Sequence, residues 1–185
     1  MSTFIEEKRV DEYLVSLRQG DSSALDCLYE LTSKQIYAIC FSYLHDPHDS
    51  ADALSDTYLA IVKNIDKYKG SSSYNWIYTI TKNICLNMLR DKKKTVSVDF
   101  NDEETVNVLH LDHEDAPKVF DESGIVAIAK RTLNEKEFQV VILHAVNGIR
   151  FKEIARLTGG LESSVRWQYN NALKKIKKAY EGRNA

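Results

Sequence analysis

The sequence predicts an all-α protein: two small helical units, residues 1–94 and 123–185, joined by a flexible acidic linker at 95–122. Three observations carry this expectation. Apolar residues recur at spacings of three and four along most of the chain, the mark of helices with one face turned to a core. That periodicity stops after Lys94, where an acidic stretch of about thirty residues holding Pro117 is too long for an ordinary connection within one domain. Further on, Ala155, Gly159 and Val165 have helix-turn-helix spacing: a small residue where two helices cross, a glycine for the turn, and an apolar anchor.

Taken in order, Val10, Tyr13, Leu14 and Leu17 form the apolar side of a first helix that Gly20 can end. Asp21 caps a longer helix buried through Leu25, Leu28, Ile36, Ile39 and Cys40, with Tyr29, Tyr37 and Tyr43 as packing residues. His45, Asp46 and Pro47 break it and start the next: Asp46 caps, Pro47 occupies the first turn, and Asp49 follows three residues later. On this third helix Leu54, Tyr58, Ile61, Val62 and Ile65 make one face, and Asp49, Asp52 and Asp56 the opposite one. A Gly/Ser loop over residues 67–73 leads into a helix at 74–94, whose core stripe is Ile77, Ile80, Ile84 and Met88. In the second unit Ile125, Ile128 and Leu133 pack one helix. Asn134 with Glu137 caps the next, which Phe138, Val141, Ile142 and Ala145 pack and Gly148 ends.

With 43% hydrophobic and 28% charged residues the chain is globular and able to bury a core. The formal net charge of -2 hides strong segregation. Residues 82–94 carry five basic side chains against Asp91, a net of +4; residues 95–123 carry nine acids against Lys118, a net of -8; residues 163–185 carry six basic side chains against Glu181, a net of +5. Two basic patches separated by an acidic tether point to anionic partners. Cys27, Cys40 and Cys85 lack paired spacing and read as core residues in a reducing cytosol, not as disulfides or zinc ligands. The histidine pairs His45/His48 and His110/His113 lack a third ligand, so no metal or cofactor is expected. The N-terminus has no apolar targeting core and no stretch approaches a membrane span, so a cytoplasmic protein is expected. The fourth helix offers no convergent carboxylates, histidine or nucleophile of an enzyme pocket.

Candidate functional residues lie on three helices. Tyr74, Tyr78, Lys82 and Arg90 fall off the core stripe, and rings plus cations suit single-stranded nucleic acid. Such rings are as commonly packing residues, and both readings stay open on the residues alone. Aligned Asp49, Asp52 and Asp56 fit a solvated face, a docking face for a basic partner, or magnesium held with a second ligand helix that the chain does not offer. The basic helix after Gly159 fits a DNA reader or a helical packing unit.

Four stretches in sequence carry a resemblance. GDSSALDCLYE, DPHDSADALSDTYL, NWIYTITKNICLNMLR and TLNEKEFQVVILHAVNGIRFKEIARL with the helix after it, together spanning about residues 20–94 and 125–180, resemble a bacterial RNA polymerase sigma factor of the extracytoplasmic-function (ECF) type, within the sigma-70 family. The resemblance implies docking on the coiled coil of the polymerase's largest subunit through Asp49, Asp52, Leu54, Ser55, Asp56 and Tyr58. It implies contact with the -10 region through Tyr74, Trp76, Tyr78, Lys82, Asn83, Arg90, Lys92 and Lys93, with Asn83 and Tyr78 replaceable without unfolding. It places Arg150, Lys152, Ser163, Ser164, Arg166, Trp167, Gln168, Tyr169, Asn170 and Asn171 at or beside the -35 major groove, and Lys174, Lys175 and Lys178 near phosphates. The implied partners are core RNA polymerase, promoter DNA and an anti-sigma factor that grips both units. The chain itself is then not an enzyme. Departures from the family pattern stand at Ala51 and Ser55 in the docking helix, Asn87 in the -10 helix, Gly159-Gly160-Leu161 in the turn, and Gln168 and Asn171 in the last helix. A free-standing helix-turn-helix regulator and a degenerate sigma acting by sequestration are the competing expectations.

Overall fold

The computed structural model describes residues 2–70, 72–98 and 125–182. It is helical throughout those residues: α1 (Ser2–Arg18), α2 (Ser23–Leu44), α3 (Pro47–Lys63), a short 3-10 turn (Ile65–Lys67), α4 (Ser73–Val98), α5 (Ile125–Thr132), α6 (Glu135–Val141), a π-type turn (Ile142–Val146), α7 (Phe151–Thr158) and α8 (Glu162–Glu181). The helix expected to stop at Lys94 continues to Val98, and the remainder of the predicted linker, residues 99–122, lies outside the described residues.

Local chemistry sets the boundaries. Asp46 is extended and its carboxylate accepts the Asp49 N–H at 2.9 Å, with Pro47 following where no N–H is needed. Asn134 and Glu137 form a reciprocal capping box: Glu137 N–H donates to Asn134 Oδ1 at 2.9 Å and Asn134 N–H to Glu137 Oε2 at 3.2 Å. Gly159 ends α7 at φ 72°, a left-handed conformation that a side chain resists. Asp21 contributes differently from the expected cap, accepting from Ser23 N–H at 3.0 Å and Ser23 hydroxyl at 2.6 Å just ahead of α2.

α2 runs through the middle, with α1, α3 and α4 packed on it and α3 also against α4. Val10, Leu14, Leu28, Ile36, Phe41, Leu54 and Ile61 fill this first core. Its polar groups are paired: the Thr32 and Tyr58 hydroxyls lie 2.7 Å apart, Tyr68 donates to Asp11, and Arg18 donates to the Tyr68 carbonyl at 2.9 Å. In the C-terminal group α8 lies along α5, α6 and α7.

The two groups are not separate bodies. Ile128, Ala129, Phe138, Ile142 and Ile176 belong to the same buried cluster as the N-terminal core, and α6 with the π-type turn packs directly on α2. Phe138, 1% exposed, sits 6.0 Å from the Phe41 ring and 4.8 Å from the His45 ring, between centroids. Periodicity correctly implies buried stripes but does not say which stripes meet. Ile125 and Ala145, expected in the core, are exposed.

The turn into α8 gives a clean stability test. Nothing lies within 4 Å of a Cβ added at Gly159, so Gly159→Ala should destabilise by roughly 1–2 kcal/mol through backbone strain alone. Gly160→Ala, whose added Cβ meets Thr158 Oγ1 at 3.8 Å without a positive φ, should be near neutral in the same denaturant titration.

Candidate nucleic-acid interface and docking face

α4 presents three faces. Ile77 and Cys85 are buried and Ile80, Ile84 and Met88 half-buried, as the core stripe requires. On a second face Thr79, Asn83, Leu86, Asn87 and Arg90 are exposed, three and four residues apart and free for an external ligand. The third face carries Tyr74, Tyr78 and Lys82, and it is covered. Tyr78 is 3% exposed; its hydroxyl lies 2.8 Å from that of Tyr43, and burial raises its phenol pKa. Tyr78, expected at the -10 element and replaceable without unfolding, is a packing residue in this structure. Lys82 Nζ reaches the Leu157 carbonyl of α7 at 3.5 Å. Trp76 is half-buried, 5.1 Å from the Tyr68 ring, and Lys92 is ion-paired with Asp49, so one expected -10 residue and one expected docking residue hold each other. Asn87 and Leu86 extend the open face; the signal for both was their spacing from Asn83. The side chain of Lys93 lies outside the described residues.

α3 divides the same way. Asp52, Ser55 and Asp56 are exposed, but Leu54 and Tyr58 are buried at 3% and 7%. Those two carry packing; the apolar part of the outer face is Leu59, 69% exposed, and Val62, which the periodicity had assigned inward. The outer face thus joins two carboxylates to two apolar side chains. The Asp56 carboxyl is pushed above its ordinary value, first by burial and then by Asp52 one turn away. A cation placed there would offset the repulsion from Asp52.

α8 buries Val165, Ala172 and Ile176 and exposes Ser163, Ser164, Arg166, Trp167, Asn170 and Lys174. Trp167 is 66% exposed. Arg166 is held by Glu162 at 2.9 Å and lies 4.9 Å over the Phe151 ring, which fixes its direction. Arg150 and Lys152 are exposed at the start of α7; Gln168 is half-buried.

The described residues are thus all helical or in short connections, with a basic last helix, an acidic-apolar outer face on α3 and a polar stripe on α4. The model of the Sigma-70 region 2 family matches residues 28–95, which contain α3 and most of α4. Over longer stretches the chain is similar to the ECF RNA polymerase sigma factors SigW and SigX of Bacillus subtilis and BldN of Streptomyces coelicolor. Their identities are 20%, 22% and 22%, covering 82%, 83% and 85% of this chain and 86%, 82% and 61% of theirs. Residues 28–95 thus carry the Sigma-70 region 2 pattern, and the likeness along the chain is to ECF RNA polymerase sigma factors. Two solved structures share the fold: CnrH in complex with the cytosolic domain of CnrY (TM-score 0.63, 14% identity, 94% of this chain and 98% of that one), and the sigma factor RpoE in complex with the anti-sigma factor NepR from Bartonella quintana (TM-score 0.61, 17% identity, 83% and 94%).

One of the two departures in the last helix, Asn171, has a structural role. Glu137, 2% exposed, accepts from Asn171 Nδ2 at 2.7 Å and from Lys175 Nζ at 2.8 Å on both oxygens. Asn171 and Lys175, expected at the -35 element, instead tie α8 to the first turn of α6. An arginine at 171 would crowd this arrangement. Burial pushes the Glu137 carboxyl upward, but Lys175, the Asn134 N–H and Asn171 together outweigh it and hold the group below its ordinary value. A depressed carboxyl contributes stability above its unfolded pKa and loses it as pH falls through the folded one. Chemical denaturation should therefore show wild-type stability declining below about pH 4.5. Glu137→Gln should cost about 1–3 kcal/mol at neutral pH and remove that component of the acid decline.

Proposed function

We propose that the outer face of α3 docks on core polymerase, the Asn83–Asn87–Arg90 face of α4 engages the -10 element as it opens, and the outer face of α8 reads the -35 element. The observation that carries this reading is the exposure of three different surfaces on three helices, each with the chemistry its ligand needs. Asp52 and Asp56 beside Leu59 and Val62 suit a basic, partly apolar helical partner. Asn83 and Asn87 offer paired donors and acceptors to base edges, and Arg90 a cation to phosphate. Ser163, Arg166, Trp167 and Asn170 protrude from a helix of the size that enters a major groove, with Lys174 beside the backbone.

The Asp52/Asp56 pair favours docking over an idle solvated face. Asp52 and Asp56 lie one turn apart on the exposed side of α3, and the repulsion between them, the smaller cause of the raised Asp56 carboxyl after burial, is one a cationic partner would offset. The chain performs no chemistry in this account; nucleotide addition belongs to the polymerase, in the cytoplasm. Proteins that hold the CnrH and RpoE folds in complex suggest an inhibitor of the same kind for this sigma factor, with the cognate partner a soluble or membrane-tethered anti-sigma segment.

Two measurements separate the faces. Leu59→Glu should weaken binding to core polymerase at least tenfold while leaving the thermal midpoint close to wild type, since the side chain is exposed. Asp56→Asn should also weaken binding, with chain stability unchanged or slightly raised. On the DNA side, Asn83→Ala should leave holoenzyme assembly intact and reduce open-complex formation by roughly tenfold or more, read by permanganate reactivity of unpaired thymines. Intact opening in that variant would remove α4 from the promoter.

A further inference from the structure

Side chains from α1, α2, α4, α7 and the turn before α7 line a cavity of about 150 Å³ that lies apart from the three outer faces described above. Its body is apolar: Ile39, Tyr78 and Leu157 form the wall, with the Tyr74 ring alongside. A space of that order holds a molecule about the size of one six-membered ring.

The polar part of the lining is one-sided. Asn147 donates from Nδ2 to the Gln35 main-chain carbonyl at 3.2 Å, which fixes the amide and leaves its Oδ1 buried without a hydrogen-bond partner among the described residues. Gln35 Oε1 is buried and unpartnered in the same way. The neighbouring donors are already engaged: Asn75 Nδ2 donates to Ser72 Oγ at 2.7 Å, and that hydroxyl donates to Glu7 Oε1 at 3.0 Å. Glu7 and Glu153 bring two carboxylates to the lining, against the guanidinium of Arg150. Acceptors and negative charge are therefore in surplus, and donors are short.

We propose that this cavity binds a small organic cation, a protonated amine or amidine carried on an apolar body of about one ring. The ring fills the space beside Ile39, Tyr78 and Leu157, the N–H groups turn toward the amide oxygens of Gln35 and Asn147, and Glu7 and Glu153 supply the countercharge. A buried acceptor without a donor is costly, so each N–H that reaches one makes a bond the chain does not make for itself. An anion would meet the same acceptors with Arg150 as its cation, and a hydrocarbon would fill the space while leaving both oxygens unpartnered. The site goes beyond the proposed function and does not depend on how α3, α4 and α8 meet their partners.

Benzamidine, a planar amidinium on one ring, is the probe, titrated into the full chain and followed by NMR of the side-chain amides and by the thermal midpoint. Saturable binding with a dissociation constant of roughly 1 mM or tighter is expected, with a midpoint that rises with concentration and signal changes centred on the Gln35 and Asn147 amides. Benzoate, alike in shape and opposite in charge, should bind weaker by about tenfold or more. Gln35→Met keeps the length of the side chain and removes the acceptor; it should weaken benzamidine by roughly fivefold or more while the midpoint of the free chain stays level or rises. Glu153→Gln, at an exposed position, should weaken binding by about threefold, and it carries the test if Gln35→Met fails to fold. Absence of saturable binding, equal affinity for benzoate, signal changes that leave the Gln35 and Asn147 amides unmoved, or unaltered affinity in the folded variants would overturn the site. None of these readouts involves polymerase or DNA, so a failure of the proposed function would leave them unaltered.

Discussion

The insertion of Phe138 between Phe41 and His45 is the contact on which the joining of the two helical groups depends. It lies in the buried cluster that joins the two helical groups into one continuous core. Burying an aromatic ring at a junction typically contributes several kcal/mol, far more than the isolated surface ion pairs of this chain. Around it α6 and the π-type turn pack on α2, Asn147 Nδ2 donates to the Gln35 carbonyl, and Lys82 reaches the Leu157 carbonyl of α7.

Each candidate functional helix divides into a buried or paired side and an open side. α3 gives Leu54 and Tyr58 to the core and keeps Asp52, Asp56, Leu59 and Val62 for a partner. α4 gives Tyr78 to the junction and keeps Asn83, Asn87 and Arg90. α8 gives Asn171 and Lys175 to Glu137 and keeps Ser163, Arg166, Trp167 and Asn170. On the reading proposed above, partition by helix face lets α3, α4 and α8 offer an outer surface to a partner while their inner sides hold the fold together.

Much of this was legible in the residues. Asp46-Pro47, Asn134 with Glu137, and Gly159 marked helix boundaries that the structure places where they were expected, because capping is a local interaction within a few residues. The helical class and the order of the motifs were equally local. What could not be read was which second stripe of a helix another helix would cover. Tyr78 and Asn83 look alike as off-core positions, and only contacts across long sequence separations, such as Asn147 with Gln35, show that one is buried and the other open. Asn171 and Lys175 looked like groove and phosphate ligands for the same reason: their acidic partner lies 34 and 38 residues earlier. Val62 and Leu59 were missed because an apolar side chain on an outer face carries no local sign of exposure.

The most direct test of the account is run-off transcription with core RNA polymerase on genomic fragments, in the presence and absence of the chain. Discrete transcripts from defined start sites that require both components are the predicted result, since the chain supplies promoter choice and polymerase the chemistry. Specific promoter binding by the chain alone, as tight as with polymerase and with no new start site on combining them, would contradict it.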